Sequence, residues 1–274
     1  MSLTLMYITN NLDVALIAEK YGVKRIWIDL ETIGKEERQK GMNTVKSKHS
    51  IDDIKIIKPR LTKAEMIVRV NPWNKGSVEE INNVIAAGAD IIMLPMWKTV
   101  SDVSNFINTV AGRCKTMLLL ETKEAVNCLE EVLENEKADE IHIGLNDLHL
   151  SYGLTFMFEL LANGIVEKII NQIKKHNLPY GFGGIARLGK GDIPAEKIIM
   201  EHYRLGSTRA ILSRSFCDFQ EIIDINKIDE IFKSNLIQLR KFEIMASQMS
   251  KEQLIANQME IKELVKKVVK EKRK

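Results

Sequence analysis

Eight short apolar runs, each followed by a segment of helical pattern, most narrow what this chain can fold into. The runs are 3–9 (LTLMYIT), 25–30 (RIWIDL), 65–70 (EMIVRV), 90–94 (DIIML), 116–120 (TMLLL), 140–144 (EIHIG), one beginning at 180–182 (YGF), and 209–213 (RAILS). Short apolar strands suit a sheet buried on both faces, and strand–helix alternation predicts a parallel sheet. Eight such units fit a closed (β/α)8 barrel better than an open sheet. The Gly-rich phosphate fingerprint of a doubly wound dinucleotide fold is absent after the first strand.

Helix signals fall between the runs. Asn10 or Asn11 can cap a helix over 12–21 that Gly22 ends, and Ser50 with Asp52 and Asp53 suits a helix start over 50–58. Gly88 closes 78–87, Gly112 follows 101–110, and a helix after Glu121 runs to about 134. A long helix is expected over 156–176, broken near Gly164, and Pro194 opens one that Gly206 ends. No Gly or Pro follows Gly206, so 225–274 reads as mostly helical. Residues 1–224 form the barrel core in this reading. Residues 225–274 supply its eighth helix and a long C-terminal helical extension. Leu254, Ile261, Leu264, Val265 and Val268 recur at helical spacing, so the extension's apolar face packs on another subunit or across its own barrel. The basic end VKKVVKEKRK suits a solvated helix terminus.

At 274 residues, 45% hydrophobic and 28% charged, the composition is that of a globular protein, and a net charge of +3 gives no argument for nucleic acid. The N-terminus lacks the basic region and apolar run of a signal peptide, and no apolar run reaches a membrane-spanning length. Three scattered cysteines without metal-type spacing point to a reducing cytoplasm.

In a parallel barrel, chemistry sits just past the C-terminal strand ends. Glu121 follows the fifth run and Asp147 the sixth, and two carboxylates from adjacent strands offer a divalent cation two hard oxygen ligands. Taken singly, they also read as a helix-start Glu and a loop Asp. Arg69, in MIVRV, is either a structural ion pair or a guanidinium aimed at a developing oxyanion. Pro95 and Trp97 follow the fourth strand, and Trp97 either packs in the core or walls a substrate pocket, with the pocket preferred. Gly183 and Gly184 allow close backbone approach or a plain tight turn. His49 and His149 lie in or near active-end loops and are candidates for proton transfer. His142 alternates within its strand and packs, and His176 and His202 read as helix-surface residues. The polar stretch 32–49 is a candidate active-site loop. Arg187, Arg204 and Arg214 could each meet an anionic substrate, with nothing in their spacing to single one out.

The ordered set IDLE (28–31), RVN (69–71), GADIIMLPM (88–96), LLLET (118–122) and IGLNDLHLSYG (143–153) resembles the HpcH/HpaI aldolase and citrate lyase family of the phosphoenolpyruvate/pyruvate barrel superfamily. The resemblance implies a barrel enzyme with a divalent metal, Mg2+ or Mn2+, on Glu121 and Asp147. It implies that Arg69 steadies the enolate of pyruvate or a related 2-keto acid. It also implies homo-oligomers that exchange a C-terminal helix. A histidine soon after the strand-two acid marks the aldolase branch; here Thr32 follows Glu31, and His49 is the next histidine. The expected activity is a metal-dependent carbon–carbon lyase or aldolase on a 2-keto acid and an aldehyde. The alternatives are an acyl-CoA lyase or thioesterase, or a barrel kept as a binding or assembly module.

Overall fold

The runs become strands at nearly the expected limits. The computed structural model describes residues 2–35, 49–213, 216–217, 222 and 224–273. Strands β1 (Thr4–Ile8), β2 (Arg25–Asp29), β3 (Glu65–Arg69), β4 (Ile91–Leu94), β5 (Lys115–Leu120), β6 (Glu140–Ile143), β7 (Tyr180–Ile185) and β8 (Arg209–Leu212) pair in parallel in sequence order. β8 pairs with β1, so the sheet closes into a (β/α)8 barrel with no free edge. Of the loop over 32–49, residues 36–48 lie outside the described residues, as does Arg214.

The helices are α1 (Leu12–Lys20), α2 (Ile51–Ile57), α3 (Ser77–Ala87), α4 (Val100–Val110), α5 (Lys123–Asn127), α6 (Leu129–Asn135), α7 (Leu145–Ser151), α8 (Glu159–Ala162), α9 (Ile165–Lys175), α10 (Ala195–Leu205), α11 (Ile225–Ser247) and α12 (Lys251–Lys272). The caps follow the sequence chemistry. Asn11 Oδ1 accepts from the Val14 amide at 3.1 Å, and Gly88 ends α3 at φ +106°. Two readings change. The helix after Glu121 is broken at Cys128 into α5 and α6, and the stretch after β6, expected as a polar loop, is helix α7.

Strand parity sorts every side chain. Ile26, Ile28, Ile92, Leu118 and Ile143 face the helices in the larger core. Met6, Trp27, Ile67, Ile91, Met93, Met117 and Leu119 fill the barrel's interior. Below them, at the strand starts, Glu140 on β6 receives both Nη atoms of Arg25 at 2.7 and 2.6 Å and Nε of Arg209 at 2.8 Å. Glu65 adds a contact of 3.0 Å to Arg25 Nε. These groups close the N-terminal end of the barrel, and the same parity brings Asp29, Arg69 and Glu121 to the other end.

β7 carries a bulge: Gly181 is level with Arg209, but Gly184 with Ile211. Gly183 and Gly184 are therefore within the strand and not at its end. A Cβ on Gly181 would lie 2.4 Å from the Arg209 carbonyl oxygen, and one on Gly183, at φ +50°, 2.7 Å from Leu145 Cδ1. Only glycine lets β7 pass there.

α11 packs between α10 and α1, the place of the eighth barrel helix. Ser250 then caps α12, which doubles back across α10 and α8. Ile261 and Val265 are buried there, and Asn257 Nδ2 donates to the Lys197 carbonyl at 3.0 Å. Of the two expectations for this face, packing across its own barrel is the arrangement found. Among the described residues, no helix is long and apolar enough to cross a membrane, and Cys114, Cys128 and Cys217 are free thiols.

Candidate active site

The C-terminal end of the barrel is built first by two neighbours in register. Asp29 ends β2 and Arg69 ends β3, directly opposite each other and both inward. The guanidinium grips the carboxylate through Nε–Oδ1 at 2.8 Å and Nη2–Oδ2 at 2.9 Å, and its Nη1 lies 3.3 Å from Glu31 Oε2. Lys35 Nζ adds a third cation contact to Asp29 at 2.6 Å. Burial alone would raise the Asp29 pKa, but Arg69 and Lys35 hold it well below the ordinary carboxylate range. Burial opposes the charge on Arg69, and Asp29 and Glu31 outweigh it. Arg69 is therefore a buried ion-pair member and also lines the cavity described next. A guanidinium has five N–H donors. Two are on Asp29, so donors on the terminal nitrogens remain for the cavity and Glu31.

Glu121 follows β5 at an inward position. Its Oε1 accepts from the Met96 amide at 3.1 Å, an amide offered by a residue at φ +51°. Asp147 lies in the first turn of α7, where a negative charge is favoured. Both line a cavity of about 220 Å³ together with Arg69, Trp27, His142, Gly183 and Gly184. Burial first, and then the charge of Asp147, push the Glu121 carboxyl well above its ordinary pKa, while Arg69 pulls it down. A larger hollow of about 460 Å³ at the opposite end is lined by Glu65, Asp90, Arg113 and Lys115. There Lys115 pairs with Glu65, and Asp90 with Lys58, so size does not select the site.

A buried carboxylate, Glu121, with the half-buried Asp147 repelling it is an arrangement that a divalent cation neutralises. Hard oxygen donors from one or two carboxylates, completed by water and substrate, suit Mg2+ or Mn2+. Among the described residues no three His, Cys, Asp or Glu side chains are grouped to hold a metal, so Glu121 and Asp147 would leave positions for water and substrate. The donor set of Glu121 and Asp147 fits the expected ion.

Gly144 keeps this arrangement open. A Cβ there would lie 2.7 Å from Glu121 Oε2 and 3.0 Å from Glu121 Cβ. Its φ of −81° is open to alanine, so Gly144→Ala should turn the Glu121 carboxylate aside, at some cost in stability because Glu121 Cβ and Leu119 Cδ1, 3.3 Å away, must also give. We expect Mn2+ affinity to fall about 10–100-fold, as when a supporting contact of a metal ligand is lost. Calorimetric titration checks this, with a single cooperative unfolding transition as the control for folding.

Several expected residues are elsewhere. Trp97 is 1% exposed and packs in the barrel–helix core, and Pro95 is buried beside it; neither lines the cavity. The chain turns outward after Leu94, so the tryptophan's area is buried against the helices. His49 Nδ1 accepts from the Asp29 amide at 2.9 Å, and burial keeps its pKa below the ordinary value. In that geometry the proton sits on Nε2, so the ring supports Asp29 and is not poised as a base. His149 is buried on α7, 3.3 Å from the Leu145 carbonyl. His202, read as a surface residue, is fully buried and stacks on Phe182 at 3.8 Å. Residues not singled out also contribute: Trp27, Met157 and Asn146 line the cavity, and Asp29 and Glu31 fix Arg69. Inward parity on β2 could have found Trp27 and Asp29.

A family model described as HpcH/HpaI aldolase/citrate lyase matches residues 4–159, more than half of the chain, and this span contains Arg69, Glu121 and Asp147. No curated protein matches the chain in sequence. An HpcH/HpaI aldolase/citrate lyase family protein from Burkholderia cenocepacia J2315 has a similar structure, with TM-score 0.62 and 12% identity over 83% of this chain and 95% of that one. An HpcH/HpaI aldolase from Desulfitobacterium hafniense DCB-2 gives 0.59 and 14%, over 84% and 93%. The citrate synthase SbnG gives 0.58 and 16%, over 88% and 94%. At these identities the structural likeness establishes the fold.

Proposed function

The chain belongs to the HpcH/HpaI aldolase/citrate lyase family, and from that premise we propose that it is a divalent-metal-dependent carbon–carbon lyase or aldolase. Its substrate class in this proposal is a 2-keto acid such as pyruvate or an oxaloacetate-like acid, with an aldehyde as the other partner. One observation carries the reading: Glu121 and Asp147 share one cavity with Arg69 at the C-terminal end of the barrel. The similar structures include an aldolase and a citrate synthase, so bond making and bond breaking are both within the proposal.

Glu121 and Asp147 would hold Mg2+ or Mn2+. When bound, the ion supplies Lewis-acid polarisation of the keto oxygen. Arg69, immobilised by Asp29 and Glu31, presents its remaining N–H donors where enolate charge develops, without reorganising as the bond breaks. Trp27, Ile8, Ile211 and Met157 give the cavity apolar walls that limit water around that charge. Gly183 and Gly184 leave the β7 side of the cavity free of side chains. The free thiols support a reducing, cytoplasmic setting for the enzyme.

The test is calorimetric titration of Mn2+ with and without oxalate, a mimic of the keto-acid enolate, on wild type and Asp147→Asn. Wild type should bind Mn2+, and oxalate should tighten that binding about tenfold or more, a coupling of roughly 1.4 kcal/mol. Asp147→Asn should lose both effects. Absence of binding in wild type, or identical binding in the variant, would sink the proposal.

A further inference from the structure

α12 has 22 residues, a rise of about 33 Å at 1.5 Å per residue. That length carries it from the turn below the barrel to the rim of the end that holds Glu121 and Asp147. Its last two described residues touch two active-end loops. Arg273 Nε donates to Thr155 Oγ1 at 3.3 Å. Lys272 Nζ sits 4.7 Å from the centre of the Phe156 ring and 3.3 Å from Asp192 Oδ2. Thr155 and Phe156 follow α7, and Asp192 follows β7. The next residue after Phe156, Met157, lines the cavity.

The segment that α12 touches is tied to α8 by hydrogen bonds and packing. The amides of Thr155 and Phe156 both donate to Glu159 Oε1, at 2.8 and 2.9 Å. Phe156 is buried and meets Phe158 edge-to-face at 5.4 Å. The helix itself is anchored lower down by Asn257 on the Lys197 carbonyl and by Gln258 on Glu167 at 3.2 Å. Residues 155–158 are therefore held between α8 and the end of α12, with Met157 directed to the cavity.

The terminal contacts are poor candidates for stabilising the fold. Lys272 and Asp192 are 45% and 58% exposed, and exposed pairs of this kind contribute little. A cation–π contact at the surface is also modest. Weak contacts placed on a cavity loop fit a positional role better than a structural one.

We propose that Lys272 and Arg273 are positioning residues: through Phe156 and Thr155 they set where Met157 closes the candidate active site. The link to substrate binding rests on the reading of that cavity as the catalytic site. The clamp on residues 155–158 does not.

The experiment uses the full chain with Lys272→Ala and Arg273→Ala combined, and Lys272→Arg as the conservative variant. Hydrogen exchange is followed by peptide, and Mn2+ and Mn2+–oxalate affinities are measured in parallel. In the double variant the amides of 157–163 should exchange at least tenfold faster, while those of β1–β8 and α10 keep their rates. Oxalate should bind the Mn2+-loaded variant three- to tenfold more weakly, with Mn2+ affinity alone unchanged. Lys272→Arg should keep exchange and oxalate affinity close to wild type, because a guanidinium can also sit on the Phe156 ring. Unchanged exchange at 157–163, or faster exchange throughout the chain, overturns the proposal. Local loosening without weaker oxalate binding overturns the positioning role as well. If wild type binds neither Mn2+ nor oxalate, the lyase reading fails, and the exchange result alone decides the clamp.

Discussion

Glu121→Gln should cut turnover roughly 10²–10³-fold, the rate equivalent of the several kcal/mol that a Lewis-acid metal supplies. The same substitution should raise the unfolding midpoint of the metal-free protein at pH 8. Both effects come from one cause. Glutamine keeps an acceptor for the Met96 amide but removes the charge that burial and Asp147 disfavour. The folded-state pKa of Glu121 is raised above that of the unfolded chain. Such a carboxyl binds more protons folded than unfolded, so its contribution to stability falls as pH rises through the raised value. The glutamine variant lacks that slope. Thermal unfolding in chelator between pH 5 and 8 measures it: the variant's advantage should be largest at pH 8 and should shrink toward pH 5. An equal loss of stability at every pH would show that the Glu121 pKa is not raised in the folded state. Opposite signs for activity and stability are the usual mark of residues kept for function.

The barrel was legible because each strand is short and buried on both faces, which leaves a local signature. β4 shows it most simply: IIML is buried at every position. The carboxylates were legible for a related reason, since parity along β5 places Glu121 on the same side as Met117 and Leu119. β7 hid its own end. Gly183 and Gly184 look like a stop, but the chain passes through them as a bulge and continues to Ile185. The partners of Arg69 were less accessible. Asp29 and Arg69 are 40 positions apart in the chain and meet only through strand register. A guanidinium in an apolar strand announces that it needs a partner, not which one. Trp97 failed for the converse reason: position after a strand does not say whether a side chain turns inward or outward. His202 carried a signal that went unused, because Ile198, Ile199, His202 and Leu205 lie on one buried face of α10.

At the other end of the barrel, Glu140→Gln should destabilise the fold by about 3–5 kcal/mol, the usual loss when one partner of a buried ion pair is removed. Arg25 is 3% exposed and Glu140 5%, so neither charge can turn to water. Glutamine keeps the shape but leaves the forks of Arg25 and Arg209 without their shared anion, and only the half-exposed Glu65 remains for Arg25. The same network sets an acid limit. Burial would raise the Glu140 pKa, but Arg25 and Arg209 lower it from 4.5 to about 2. A depressed carboxylate contributes stability that is complete above its unfolded value and is lost as pH falls toward the folded one. Here the window is pH 4.5 to 2, and the shift corresponds to about 3 kcal/mol at roughly 1.4 kcal/mol per pKa unit. Urea unfolding at pH 7 and pH 3 should therefore show the wild type losing more stability than Glu140→Gln, so that the two curves converge at low pH. Adding Arg25→Met to the variant should recover part of the loss, because it removes the uncompensated cation. Strictly additive losses in the double variant would mean that Arg25 and Glu140 act independently, and the ion network would not be what closes this end of the barrel.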